Sequence, residues 1–219
     1  MTNKDGVNGI DVICPGCDSD LFAFEDAVEV LSSLSTLRKI ISLSTKASIP
    51  KNSLERIAML NKELIKHDSF IKISVALSSF HSVDSIEEGT ANFEERLRNL
   101  KLLQHYDIPS SIYLRPLLPF VSDEEYKQII DETSPYTRKY LLGGLFVDRE
   151  SEFYTKFLQG NGHLRIRDKQ VQWITSKPQW KYVDLPEKED YVQRNVHSKG
   201  GMAFHSDLNL LDSIRQELF

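Results

Sequence analysis

The stretch from residue 70 to residue 120, FIKISVALSSFHSVDSIEEGTANFEERLRNLKLLQHYDIPSSIYLRPLLPF, decides the fold of this chain. Apolar runs near residues 70–78 and 110–117 flank an amphipathic segment near residues 92–106, which indicates a strand, a helix and a second strand. Strands joined through a helix lie parallel in one sheet, because a tight hairpin joins only antiparallel neighbours. The stretch therefore predicts one βα repeat of a parallel sheet.

The same alternation of apolar runs and amphipathic segments extends over residues 10–148. It predicts an α/β fold, in the form of an incomplete parallel (β/α) barrel of about five βα units. We expect the strands near residues 10–14, 38–46, 70–78, 110–117 and 139–147. We expect the helices near residues 24–35, 53–67, 92–106 and 122–133. Ser53, Asn92 and Ser122 are predicted to cap the last three of these helices.

Two of the predicted strands indicate which face of the sheet meets a ligand. Strand side chains alternate between the two faces, so a period of two separates small or polar residues from bulky apolar ones. The small or polar set in these strands is Ser42, Ser44, Lys46, Ser74, Ala76 and Ser78. We expect the bulky face to pack on helices and the small face to line a concave interior that holds a ligand.

The pattern changes after about residue 150, and we predict two regions: a barrel over residues 1–149 and a C-terminal α+β extension over residues 150–219, packed on the barrel. Residues 163–174 alternate as a strand would on both sides of Asp168-Lys169, which predicts a hairpin that turns there. A helix is expected from near Ser206-Asp207 to the C-terminal end.

Composition narrows the functional classes. The chain has 219 residues, 40% of them hydrophobic, enough for one substantial core. It has no charged and apolar leader pattern at its start, no apolar run of about 20 residues and only two cysteines. We therefore expect a cytoplasmic protein without a membrane partner.

The charge balance bears on nucleic acid as a partner. A net charge of −5 gives the chain no overall attraction for a polyanion. Trp173, Trp180 and Tyr182 stand among lysines and could stack on bases, but aromatic residues in such a segment more often hold an extension on its domain. Nucleic acid is therefore not expected as a partner.

Three motifs within residues 70–120 resemble the radical S-adenosylmethionine (SAM) enzymes, in the spore photoproduct lyase-like branch. They are Glu88-Gly89-Thr90, then Arg96 in a helical segment, and then the strand that ends at Arg115-Pro116-Leu117-Leu118-Pro119. Residues 16–22, GCDSDLF, are similar to a turn of that family with Leu21 in the place of proline. The resemblance covers residues 10–148 and implies a partial (β/α) barrel that binds SAM.

The resemblance also implies site residues. Relatives have a Thr-Lys pair at the matching strand end, and its lysine helps to hold the SAM carboxylate; here that role falls on Lys46, with Ser44 or Thr45 as hydrogen-bonding neighbours. A serine of the next strand contacts the ligand in the family, and Ser74 and Ser78 both qualify. The remaining cofactor-binding candidates are Glu88 and Arg96, although Arg96 could instead pair with Glu88 or Glu95.

The cysteines depart from the family pattern. Radical SAM enzymes hold a 4Fe–4S cluster on three cysteines spaced C-x3-C-x2-C, whereas this sequence has only Cys14 and Cys17. Two thiolates are half of a typical metal site, so we expect no metal on this chain alone. The resemblance then implies the SAM-binding part of an iron–sulfur enzyme whose cluster-binding segment is missing or lies on another chain.

Two other functions stay open. One is a degenerate, non-catalytic SAM-fold module that binds a small molecule or a protein. The other is an unrelated α/β-barrel enzyme that uses Lys46, Glu88 and the C-terminal histidines His197 and His205. A parallel sheet that starts at residues 10–14 has an unpaired edge, which predicts a cover: the C-terminal extension, a cluster-bearing partner chain or a second copy of the chain.

Overall fold

The computed structural model describes residues 11–16, 19–81, 87–159, 162–171 and 179–219. Its strands are β1 (Val12–Ile13), β2 (Ile40–Thr45), β3 (Ile71–Ala76), β4 (Ser110–Leu114), β5 (Lys139–Leu142), β6 (Leu145–Val147), β7 (Arg165–Gln170), β8 (Gln179–Asp184) and β9 (Met202–Phe204). Its α-helices are α1 (Ala27–Ser35), α2 (Lys51–Ile65), α3 (Phe93–His105), α4 (Asp123–Thr133), α5 (Pro186–Ser198) and α6 (Asp207–Leu218).

The main sheet has six strands in the order β1-β2-β3-β4-β5-β9, and every neighbouring pair is parallel. The first five strands alternate with α1 to α4, so the predicted α/β fold with parallel βα units is confirmed. The sixth strand, β9, comes from the C-terminal region and was not predicted. The division into regions at residue 149 stays a prediction.

The bulky face of the sheet packs on the helices, as its alternation predicts. Ile41, Ile73 and Val75 have no exposed surface and belong to one apolar cluster with side chains of α1 to α4. Such burial is the main favourable contribution to folding, at about 25 cal/mol for each Å² of apolar surface removed from water. The helices therefore fix the opposite face of the sheet as the one open to a ligand.

Helix α6 covers part of that opposite face. Leu210, Leu211 and Ile214 of the helix form a second apolar cluster with side chains at the starts of β2 and β3 and in β5, namely Ile40, Phe70 and Leu141. A bidentate contact of 2.5 and 2.6 Å between Lys139 Nζ and the Glu217 carboxylate oxygens fixes the far end of the helix. This face of the sheet is therefore apolar where α6 packs on it and polar elsewhere.

Strand 139–147 was predicted as one element, and this prediction is wrong. The chain leaves the main sheet at Gly143 and Gly144, and β6 joins a separate antiparallel sheet in the order β6-β8-β7. A side chain at either glycine would meet a neighbour, since a Cβ on Gly143 would lie 2.6 Å from Arg115 and one on Gly144 would lie 2.5 Å from Tyr182. Arg115 and Tyr182 approach the backbone so closely that only glycine fits at residues 143 and 144, where the strand ends.

The predicted hairpin turn at Asp168-Lys169 is also wrong. Both residues lie inside β7, where Asp168 pairs with Lys181 and Lys169 with Trp180 of β8. Strands β7 and β8 are antiparallel neighbours. Residues 172–178 between them, which include the end of the predicted 163–174 segment, lie outside the described residues.

Two of the three predicted helix caps are confirmed. The Asn92 and Ser122 side chains accept hydrogen bonds from the backbone N–H groups of Glu95 and Glu125. The cap at Ser53 is wrong, because α2 begins at Lys51 after Pro50. Pro50 is the N-cap residue instead, and its carbonyl oxygen accepts hydrogen bonds from the N–H groups of Ser53 and Leu54, so the helix starts before Ser53.

The two edges of the main sheet differ. Strand β9 pairs with β5 at one edge, so this part of the C-terminal region lies at the opposite edge from β1. A partner chain over β1 stays a prediction. No helix in the described ranges has the length and apolarity that a membrane span requires.

Candidate ligand-binding site

A pocket of about 660 Å³ opens where β1 to β4 end. Ligands of open parallel sheets bind outside the carboxyl ends of the strands, and small-molecule pockets commonly measure about 300–1,000 Å³. The walls come from the loop after β1, the end of β2, the turn before α3 and the end of β4. Its lining includes Asp20, Ser44, Thr45, Lys46, Thr90, Ala91, Glu95, Tyr113 and Arg115.

Asp20 holds two walls of the pocket together. Its Oδ2 accepts hydrogen bonds from Thr45 Oγ1 at 2.9 Å and from the backbone N–H groups of Lys46 at 2.6 Å and Ala47 at 3.1 Å. Its Oδ1 accepts from the N–H of Phe22, which caps the short 3-10 turn Leu21–Ala23. Hydrogen bonds to a carboxylate are stronger than neutral ones, so Asp20 fixes the end of β2 against the loop after β1.

Lys46 lies at the rim of the pocket. Its ammonium is 2.8 Å from Glu87 Oε1, and the Lys46 side chain is 43% exposed. An ammonium has three donors, and one contact with Glu87 leaves donors that can turn toward a ligand in the pocket. Position and charge therefore suit Lys46 to bind an anionic group.

Arg96 acts on Lys46 through Glu87, because both cations contact the Glu87 carboxylate. The guanidinium is fully buried, and its Nη1 lies 2.7 Å from Glu87 Oε2 in an ionic contact. The same guanidinium donates to the carbonyl oxygens of Ala76 and Ala91 and to Thr90 Oγ1. Arg96 thus ties the end of β3 to the turn before α3 and fixes the carboxylate that pairs with Lys46.

Glu87 carries the charge at the centre of this network. Burial raises the pKa of Glu87, but the hydrogen bonds and charges of Lys46, Ser78 and Arg96 outweigh it and hold the pKa below its ordinary value. Ser78 Oγ donates to Glu87 Oε1 at 2.7 Å. Glu87 is therefore an anion at neutral pH, flanked by one buried and one partly exposed cation.

The structure brings together some of the predicted site residues. Ser44, Thr45 and Lys46 line the pocket, with Ser44 exposed in it. Ser78 and Arg96 lie behind the pocket wall, where both contact the Glu87 carboxylate. The other two candidates, Ser74 and Glu88, are placed elsewhere. Ser74 is buried, with its Oγ 2.7 Å from Ser111 Oγ. Glu88 is exposed on the turn, and its neighbour Glu87 makes the contacts with Lys46 and Arg96 instead.

Sequence reasoning missed three residues: Asp20, Glu87 and Lys72. The similarity of residues 16–22 to a family turn was a signal for Asp20, and the period of two that selects Ser74 and Ala76 also selects Lys72. No pattern separates Glu87 from its neighbour Glu88, because the loop conformation decides which carboxylate turns inward.

Possible metal ligands do not converge in the described residues. Cys14 is exposed after β1, and Cys17 lies outside the described residues. Across the described ranges, no three His, Cys, Asp or Glu side chains gather as a metal site. His205 Nδ1 is 3.0 Å from Glu189 of α5, and none of the described residues that line the pocket is a histidine.

Comparison with known proteins identifies the fold. No family model and no curated protein matches the sequence. Among solved structures, a spore photoproduct lyase variant with bound AdoMet and dinucleoside spore photoproduct has 13% identity and a TM-score of 0.67, over 89% of this chain and 61% of that chain. The chain therefore spans about three fifths of the length of that relative.

Two further structures agree. A domain of pyruvate-formate lyase-activating enzyme from Bacteroides vulgatus ATCC 8482 has 13% identity and a TM-score of 0.56, over 89% of this chain and 97% of that domain. Streptococcus suis SuiB bound to S-adenosylmethionine has 12% identity and a TM-score of 0.55, over 89% of this chain and 38% of SuiB. The chain therefore shares the fold of these three structures, which in this chain is a six-stranded parallel sheet with helices between its strands.

Proposed function

We propose that this chain binds SAM in the pocket at the ends of β1 to β4 and serves as the SAM-binding part of a radical SAM-type enzyme. The observation that carries the proposal is Lys46: a partly exposed cation at the rim of a pocket at the ends of the parallel strands, held from behind by Glu87 and Arg96. Two of the structural neighbours contain AdoMet or S-adenosylmethionine.

The pocket residues suit the groups of SAM. SAM carries a carboxylate, an amino group, a sulfonium and an adenosine. Lys46 pairs with the carboxylate as a point charge, and the exposed Ser44 hydroxyl donates or accepts beside it. Glu95, whose Oε2 also accepts from the N–H of Asn92, supplies negative charge near the cationic groups. Tyr113 of β4, which also lines the pocket, offers an aromatic ring.

The residues of this chain do not fit a 4Fe–4S cluster. Such a cluster requires three thiolates in the C-x3-C-x2-C pattern, and the sequence holds two cysteines. We infer that reductive cleavage of SAM requires thiolates supplied by another chain or a further segment. The cysteine count favours a second candidate as well, a SAM-fold module that binds its ligand without catalysis.

Mixing experiments separate the two candidates. Anaerobic addition of iron and sulfide to the chain alone should give no stoichiometric cluster, as read from the iron content and the charge-transfer absorption. A partner with three cysteines that restores both the cluster and SAM cleavage supports the enzyme. Tight SAM binding that no such partner alters favours the non-catalytic module.

Isothermal titration calorimetry tests SAM binding itself. With hydrogen bonds worth about 1 kcal/mol each, four or five contacts give a Kd of about 0.2–1 mM for the iron-free chain. Lys46→Ala should weaken binding about fivefold, because an exposed ion pair contributes about 1 kcal/mol. Lys51→Ala is the matched control, since this lysine lies on the first turn of α2 outside the pocket. SAM binding that Lys46→Ala leaves unchanged would contradict the assigned site.

A further inference from the structure

Lys72 is a buried cation that the proposed SAM site does not use. It points from β3 into the concave interior, and the residue is 1% exposed. Its Nζ donates one hydrogen bond, to Ser74 Oγ at 2.7 Å, and lies 3.8 Å from Asp207 Oδ1. A buried charge is costly unless it is paired and hydrogen-bonded, and this ammonium is only partly satisfied by the described residues.

Lys139 shows how the same sheet satisfies a buried lysine. It is 8% exposed, and both carboxylate oxygens of Glu217 lie within 2.6 Å of its Nζ. The contact between Lys72 and Asp207 is more than 1 Å longer than either of these contacts. Lys72 therefore has the incomplete coordination that a ligand group would finish, whereas Lys139 does not.

The Lys72 side chain lines a cavity of about 220 Å³, on the same face of the sheet as the apolar cluster of α6. Polar and ionisable side chains of Cys14, Ser42, Ser44, Lys72, Tyr113 and Asp207 line the cavity together with Pro15, Gly16 and Leu43. Ser44 and Tyr113 also line the larger pocket, so the two spaces adjoin. A ligand group held at Lys72 would be next to a molecule bound in the larger pocket.

The charges around the cavity favour an anion. Asp207 lies between two cations without a short contact to either, since its Oδ1 is 3.8 Å from Lys72 and its Oδ2 is 3.7 Å from Arg115 Nη1. Burial lowers the pKa of Lys72, while the negative charge of Asp207 opposes that shift. Two cations thus share one half-exposed carboxylate, which leaves room for a second anionic group.

We propose that this cavity is a second ligand site, which binds an oxyanion group, a carboxylate or a phosphate, through Lys72 with Ser74 and Ser42 beside it. Its role as the site for the anionic end of a substrate rests on the proposed SAM binding, whereas oxyanion binding by Lys72 does not. The bound anion would raise the pKa of Lys72, so binding should weaken as pH rises through that pKa.

Nuclear magnetic resonance on the full chain labelled with 13C-lysine tests this site. Sodium acetate and sodium phosphate are titrated separately at constant ionic strength set with sodium chloride, and the Lys72 Cε signal is assigned by its loss in Lys72→Arg. The Lys72 signal should shift and saturate at millimolar concentrations, with the preferred anion distinguishing a carboxylate from a phosphate ligand. The Lys139 signal, which belongs to a satisfied lysine, should not move.

Two variants sharpen the test. Lys72→Met keeps the volume of the side chain and should weaken binding of the preferred anion at least about tenfold in calorimetry, while SAM affinity is unchanged. Asp207→Asn removes the competing carboxylate from a half-exposed position and should tighten binding. Absence of a saturating Lys72 shift with both anions, or equal linear shifts of all lysines, would overturn the site. A saturating shift in a chain that fails to bind SAM would keep the oxyanion site and remove its role toward a substrate.

Discussion

Replacement of Arg96 by methionine should destabilise the chain more than any other single change at the pocket. Methionine fills a similar volume but donates no hydrogen bond. The change leaves the carbonyl oxygens of Ala76 and Ala91 without this donor and removes the buried cation 2.7 Å from Glu87. The end of β3 and the turn before α3 lose their common anchor as a result.

The magnitude follows from burial. Removal of one partner of a buried ion pair costs about 3–5 kcal/mol, because the other charge stays buried without compensation. Lys46 and Ser78 still contact Glu87 Oε1, so the lower half of that range applies, at about 3–4 kcal/mol. Arg96→Lys should lose about half as much, because an ammonium keeps the charge but not the planar set of donors.

Urea unfolding followed by far-ultraviolet circular dichroism measures this cost. The midpoint should fall while the slope with urea stays constant, as expected for a change in stability rather than in the surface exposed on unfolding. Arg98→Met is the matched control on the same helix, because Arg98 contacts Ser48 at an exposed site and should cost at most about 0.5 kcal/mol. A cost below about 1 kcal/mol for Arg96→Met would refute the anchoring role.

Two further predictions concern the same network. Because the pKa of Glu87 is lowered in the folded chain, its contribution to stability should be present above its ordinary pKa of 4.5 and be lost as pH falls through the folded value. Glu87→Gln should therefore cost about 2–3 kcal/mol at pH 7, and the difference from wild type should shrink on acidification; a difference that is constant from pH 7 to pH 3 would argue against the lowered pKa. Asp20→Ala should cost about 2–3 kcal/mol and weaken SAM binding, because the backbone N–H groups of Lys46 and Ala47 lose a carboxylate acceptor; unchanged amide exchange at these two residues would contradict its clamping role.

The parallel sheet was predictable because periodicity alone reports it. Strands β2 and β3 alternate between bulky and small or polar residues. Asn92 and Ser122 mark the starts of two helices, because each caps its helix through residues only three positions away. The C-terminal region was less predictable for an equally physical reason. Strand β9 has three residues, too few to show a period, and tertiary pairing with β5 alone makes it a strand.

The site was only partly predictable. Lys46 was identified by its place at a strand end and by a family resemblance, and it does line the pocket. The carboxylate that pairs with it could not be chosen, since Glu87 and Glu88 are adjacent and only the turn decides which one is buried. The break at Gly143-Gly144 depends on Arg115 and Tyr182, which are distant in sequence, so local pattern could not reveal it.

A crystal structure of the chain with S-adenosylhomocysteine, which has the carboxylate and adenosine of SAM without its reactive sulfonium, would show directly whether the SAM site is the pocket beside Lys46. We expect ligand density in the pocket at the ends of β1 to β4, with the ligand carboxylate within hydrogen-bond distance of Lys46 Nζ and the Glu87–Arg96 ion pair intact behind it. Density for the ligand at another surface, or in this pocket with its carboxylate turned away from Lys46, would contradict the claim.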